Sequence, residues 1–247
     1  MFSYFYKNIQ VISYTFFKYF ELALTALLML VLADKIGPDE MGNSIGSLLY
    51  ITYSSYLALG MNTLIVKNYK REINKIRFLT SNLQFLFFIG LFNFGLTFFI
   101  FDSTIFLYIA LISIANLLRN FFISYYRAIN KTWVLNINNI FLSSFLLIST
   151  FFLVDYWNDY LLIWAIFASA SLILFVFFDM LMFKEILKEL LKLPNFIKLL
   201  GSFKEGAKLA FLSGVGTIFL TNDRFLINYL DISDTIKGSY QFADNMS

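Results

Sequence analysis

Apolar residues in this chain gather into runs of about 20, separated by short polar or charged stretches. A helix that crosses a bilayer needs about 20 such residues at a rise of about 1.5 Å each. The runs predict spans at about 11–33, 43–66, 79–101, 104–127, 134–154, 161–183 and 209–230. An eighth begins near Gly238 and stops at Ser247. Two prolines and eleven glycines in 247 residues leave room for long unbroken helices.

The stretch from Lys184 to Lys208 departs from this rhythm. It alternates lysine with Leu, Ile and Phe at helical spacing, and Pro194 interrupts it. The pattern predicts two short amphipathic helices on the membrane surface, with lysines toward anionic headgroups. A solvated loop is the plainer reading of the same residues. The segment is also the best candidate linker between two bundles. The expected organisation is residues 1–183 as helices one to six, 184–208 as linker, and 209–247 as helix seven and the start of helix eight. A helix abandoned after two turns would leave backbone groups unpaired in lipid, so residues 238–247 read as the opening of an element that a longer protein would complete.

Composition supports the membrane reading. The chain is 59% hydrophobic and 14% charged, where soluble domains have about 45–50% and about 25%. So few charges cannot cover a globule of this size in water. There is no cysteine and no histidine, which removes disulfides, thiolate chemistry, Cys/His metal sites and the usual neutral-pH acid/base group. No enzyme activity, cofactor or nucleic-acid partner is expected. The excess of Phe, Ile, Asn, Lys and Tyr has the look of compositional drift, so single phenylalanines are not read as a binding stripe. The first apolar run contains Lys18 and Glu21 and lacks a small-residue cleavage site. It reads as a retained helix.

Charge then orients the spans. With the N-terminus inside, the inner segments hold Lys7; Lys67, Lys70, Arg71, Lys75 and Arg77; Arg127 and Lys131; and Lys184, Lys188, Lys192, Lys198, Lys204 and Lys208. The outer ones hold only Lys35 and Lys237, with Asp34, Asp39, Glu40, Asp102, Asp155, Asp159, Asp231 and Asp234. Lys/Arg bias sets topology, so the N-terminus is expected on the cytoplasmic side.

Five charges fall well inside predicted spans, away from their ends: Lys18, Glu21, Arg119, Asp223 and Arg224. Each costs roughly 2.5–3.5 kcal/mol at a helix centre unless it meets a cavity, a partner or the interface. Lys18 and Glu21 are three apart and share a face, so they can pair. They form either a cavity-facing stripe or a snorkelling lysine with its counter-charge. Arg119 has Asn116 and Asn120 beside it, and it either faces a cavity or reaches the inner interface. Asn222, Asp223 and Arg224 lie near the middle of the seventh span, where neighbours point about 100° apart. They are cavity candidates or links to another helix. Asp179 is expected at the inner interface. Serines and asparagines elsewhere in the spans read as helix-packing residues. No GxGxxG, Walker, HExxH or serine-nucleophile pattern appears.

Two stretches resemble a known family. Ile36, Gly37, Pro38, Asp39, Glu40 and Gly42 match a short outer-loop pattern of polysaccharide flippases in the multidrug/oligosaccharidyl-lipid/polysaccharide exporter superfamily. Gly206, Asn222, Asp223, Arg224, Gly238, Tyr240 and Ala243 are similar to that family's seventh helix and the opening of its eighth. The family has about twelve to fourteen helices, and this chain stops in the eighth. The resemblance implies an all-α integral membrane fold, with a six-helix N-lobe and the start of a second lobe across a central cavity. It implies export of an undecaprenyl-diphosphate-linked oligosaccharide (an O-antigen or polysaccharide repeat unit) by alternating access. It also implies a bacterial or archaeal cell membrane, a coupling ion (H+ or Na+), contact with membrane lipids and, as further partners, other polysaccharide-assembly proteins. Repeat symmetry would set helices seven and eight against helices one and two. Ile36 and Gly42 share their six-residue spacing with Ile232 and Gly238. In this reading Arg224, Arg119 and Lys18 hold phosphate, Asn and Tyr bond sugars, and Asp223 and Glu21 tune the cations or couple an ion.

Three other readings stay open. A drug/cation antiporter of the same superfamily would favour acids in its cavity. A membrane-embedded glycan polymerase or ligase should carry a large outer loop, and every outer loop here is short. A truncated product without activity is the third.

Overall fold

The computed structural model describes residues 2–102, 104–190, 201, 203–211, 226–227, 229–230 and 232–246. Among these there are helices and connecting turns and no strands. The chain is an all-α, multi-pass membrane protein. Among the described residues, five stretches are long and apolar enough to cross a bilayer. They are residues Thr15–Asn43 of α1 (Phe2–Asn43), α4 (Lys75–Ile100), α5 (Phe106–Ala128), α6 (Thr132–Leu153) and α7 (Trp157–Phe178). The shorter helices are α2 (Ile45–Ser54), α3 (Met61–Asn68), α8 (Met180–Leu190) and α9 (Asp234–Met246).

The first predicted loop is a helix start. Gly37 leaves the helical region at φ 76°, ψ 170°, and Pro38 follows it. A proline at the first helical position loses no hydrogen bond, and the acidic Asp39 and Glu40 suit the positive end of a helix. Ser44 N donates to Glu40 O at 3.0 Å, and Leu48 N to Ser44 O at 3.0 Å. The helix that opens at Pro38 therefore runs on through α2 to Ser54.

The second predicted span, 43–66, is broken rather than continuous. A 3-10 turn, Ser55–Ala58, follows α2. Leu59 (φ 47°) and Gly60 (φ 71°) are then left-handed before α3 begins. Gly60 takes this conformation freely, but Leu59 does so at a cost of about 1–2 kcal/mol. A neighbour holds the break in place. A Cβ on Gly60 would stand 2.1 Å from the carbonyl oxygen of Gly206, and one on Gly206 would stand 2.6 Å from that of Leu59.

Helices α5, α6 and α7 pack on one another, α4 packs on α5 and α8, and α1 packs on α6 and α9. The contacts gather the acidic corners at one end. There Trp157 N donates to Glu40 Oε2 at 2.6 Å, Thr235 Oγ1 donates to Asp39 Oδ1, and Tyr50 packs edge-on against Phe101. At the other end an aromatic cluster of Phe121, Phe122, Tyr125, Tyr126 and Phe175 closes the bundle. Tyr125 OH donates to Asp179 at 2.7 Å, and Tyr126 OH to Phe175 O at 2.7 Å. Asp179 breaks the helix at φ −147°, ψ 56°, so the sixth predicted span ends at Phe178 rather than 183. On α8, Ile186 is buried while Lys184 and Lys188 are exposed. The Glu185 carboxyl lies below its ordinary value because Lys188 donates to it at 2.8 Å.

Helix α9 begins at Asp234, one turn before the predicted Gly238, because Ser233 O already accepts from Lys237 N at 3.1 Å. Its crossing with α1 is reciprocal. A Cβ on Gly42 would stand 2.0 Å from Asp234 O, and a Cβ on Gly238 would stand 1.9 Å from Pro38 O. Each glycine thus lies on the carbonyl four residues before the other. Small residues that admit a facing backbone are the usual means of close helix contact in lipid.

Candidate functional site

Arg119 sits nine residues before the end of α5 at Ala128, about 13 Å along the axis. It turns to α6 instead of reaching for the interface. Its Nε donates to Asn138 Oδ1 at 3.4 Å, and its Nη2 donates to Asn139 Oδ1 at 2.5 Å. Asn138 is fixed in turn, because its Nδ2 donates to Ser171 O of α7 at 2.7 Å and its side chain is fully buried. Asn139 is polarised from both sides. Its oxygen accepts from the cation, while its nitrogen donates to Glu21 Oε2 of α1 at 3.0 Å. Lys18 completes the row with a 2.9 Å ion pair to the same Glu21 oxygen.

The row crosses three helices, α5, α6 and α1, and borders a cleft of about 380 Å³. Glu21, Thr25, Thr52, Ser55, Asn116, Arg119, Asn120, Ser143 and Tyr160 supply its polar wall, and Leu28, Ile51 and Leu142 part of the apolar one. Two of the five guanidinium N–H groups of Arg119 bond the asparagines. Three remain for a guest, enough for the paired bonds that a phosphate accepts. Lys18 is half exposed, does not line the cleft, and faces Glu21 alone among the described residues.

The structure thus brings together Arg119, Glu21 and, at one remove, Lys18, with Asn116 and Asn120 in the same wall. The other three predicted residues, Asn222, Asp223 and Arg224, lie outside the described residues. Sequence reasoning passed over Asn138 and Asn139. Two adjacent amides inside an apolar run were the available signal, and they were read as packing residues. Among the described residues there is no cluster of three or more carboxylates that could hold a metal ion.

Comparison with protein-family models, with curated proteins and with solved structures finds no match to this chain. The site is therefore read from its own geometry.

Proposed function

We propose that this chain transports a lipid-linked oligosaccharide across a bacterial or archaeal cell membrane by alternating access, the isoprenoid diphosphate entering the polar cleft. The carrying observation is Arg119: a cation well inside a membrane bundle, fixed by two asparagines, with donors left over toward a cleft. A charge so placed is costly unless it has work there. A diphosphate supplies the matching anion, and the hydroxyl and amide wall suits sugars. The reciprocal glycine crossing supports a second lobe meeting the first at α1 and α9. In this reading the basic end of the bundle faces the cytoplasm. Impermeant thiol labelling of intact cells then reaches a cysteine at Asp159 and spares one at Lys70; the reverse result contradicts the orientation.

A second reading rests on Glu21, an acid in the same cleft, and makes the chain a cation antiporter. Binding of an isoprenoid diphosphate to purified protein separates the two. The flippase reading predicts that Arg119→Ala weakens binding while Glu21→Gln leaves it within a few-fold. The antiporter reading predicts no binding in the first place.

A further inference from the structure

The turn between α3 and α4 forms a second polar pocket, of about 470 Å³, away from the cleft. Arg71, Arg77 and Ser81 are among the groups that line it. Both arginines are exposed, and neither makes an ion pair or a side-chain hydrogen bond among the described residues. Their guanidinium donors are therefore unspent, although helix α4 itself is already capped, since Asn74 Oδ1 accepts from Arg77 N at 3.0 Å. Glu72 also borders the pocket, leaving the lining net positive, and Lys70 and Lys75 flank it in sequence.

Two further observations choose the ligand. Ile73, at the tip of the turn, is fully exposed at 102%. A fully exposed isoleucine flanked by Lys70, Arg71 and Lys75 suits a membrane surface, where apolar side chains enter the acyl boundary and cations meet anionic headgroups. The pocket also opens onto a lipid-facing stripe. Ser81, Phe88 and Phe92 follow Arg77 at steps of four, seven and four residues, all within about 60° on the helix and within about 23 Å along it, the reach of one leaflet. Those two phenylalanines are 51% and 58% exposed. A molecule with a phosphate in the pocket would lay its acyl chains along this stripe.

We propose that the α3–α4 pocket binds the headgroup phosphate of an anionic phospholipid, held by Arg71 and Arg77, with its chains along the exposed phenylalanines of α4. The site is separate from the cleft, and the proposal does not depend on the transport reading. Free phosphate shares the headgroup's charge but not its chains, so it should be a poor ligand.

The test uses the full chain in neutral detergent, titrated with phosphatidylglycerol, phosphatidylcholine or inorganic phosphate and followed by the shift in melting temperature. Phosphatidylglycerol should give a saturable rise, with phosphatidylcholine on the order of tenfold weaker and inorganic phosphate without effect at the same concentration. The double variant Arg71→Gln/Arg77→Gln should melt as the native chain does without lipid and bind phosphatidylglycerol at least about tenfold more weakly. Lys188→Gln on α8, a basic position outside the pocket, should bind it normally. Unchanged affinity in the double variant overturns the proposal, as does equal binding of the two phospholipids. A full shift from inorganic phosphate alone would make this a free-anion site and overturn the lipid assignment. If the double variant has lost its fold, the single variants Arg71→Gln and Arg77→Gln should each bind phosphatidylglycerol several-fold more weakly than the native chain; unchanged affinity in both folded single variants overturns the proposal.

Discussion

Valine at Gly238 is expected to separate α9 from α1. In the native chain the carbonyl of Pro38 lies where a side chain would begin, with the added Cβ only 1.9 Å away. Ordinary contact at that position starts near 3.4 Å, so the backbones must part by about 1.5 Å, and the reciprocal contact at Gly42 opens with them. Backbone cannot give way as a flexible side chain can, and a crossing built on small residues has little else to hold it in lipid. The chain has no cysteine, so a pair introduced at Asp39 and Thr235, whose side chains touch across the crossing, reports the contact alone. A short thiol cross-linker should join the pair in the native background and at least about tenfold less in Gly238→Val. Gly95→Val is the control, because a Cβ there meets nothing within 4 Å. Equal cross-linking in the Gly95 and Gly238 variants would mean that α9 does not pack on α1 as described.

Leucine at Asn139 should destabilise the protein clearly more than leucine at Asn136 on the same helix. The Asn139 amide serves two charges at once, Arg119 through its oxygen and Glu21 through its nitrogen. Removing it takes one hydrogen bond from each charge, worth about 1.5–3 kcal/mol apiece and toward the low end here because Arg119 keeps Asn138 and Glu21 keeps Lys18. Asn136→Leu is the comparison on the same helix, since the Asn136 side chain makes no hydrogen bond among the described residues. The fraction of protein that stays folded through mild heating in detergent should fall clearly in Asn139→Leu and hardly in Asn136→Leu. A double-variant cycle with Glu21→Gln should recover part of the loss, because the neutral amide needs Asn139 less. If the two leucine variants melt alike, the Arg119–Asn139–Glu21 row does not hold the helices together.

Apolar run length was enough to place α4, α5, α6 and α7, and each lies within about five residues of its predicted span. It failed where a single contact ends a helix. The apolar run continues past Phe178 to Met182, and only Asp179, held by Tyr125, stops α7. The break at Leu59 and Gly60 depends on the Gly206 backbone, 146 residues away in the chain, which no local count can show. The start at Pro38 was legible in principle, since Gly-Pro-Asp-Glu carries the usual signals of a helix N-terminus. Its polarity made it look like a loop. The site was half legible for a related reason. Charges inside a span announce themselves, which singles out Arg119, Glu21 and Lys18 as candidates. Asn138 and Asn139 stand out as adjacent amides in an apolar run, but their partners do not, because an asparagine in a membrane helix bonds a neighbour of any kind and only the fold says which.

In the proposed function, Arg119 presents its free donors to an anionic guest in the membrane. The measurement that reaches it most directly is equilibrium binding of an isoprenoid diphosphate to the purified chain in neutral detergent, with the matching isoprenoid alcohol as the uncharged reference. The native chain should prefer the diphosphate by at least about tenfold, Arg119→Lys should keep part of the preference, and Arg119→Ala should abolish it while remaining folded. A folded Arg119→Ala variant that binds the diphosphate as the native chain does, with the preference over the alcohol intact, would contradict the proposed function.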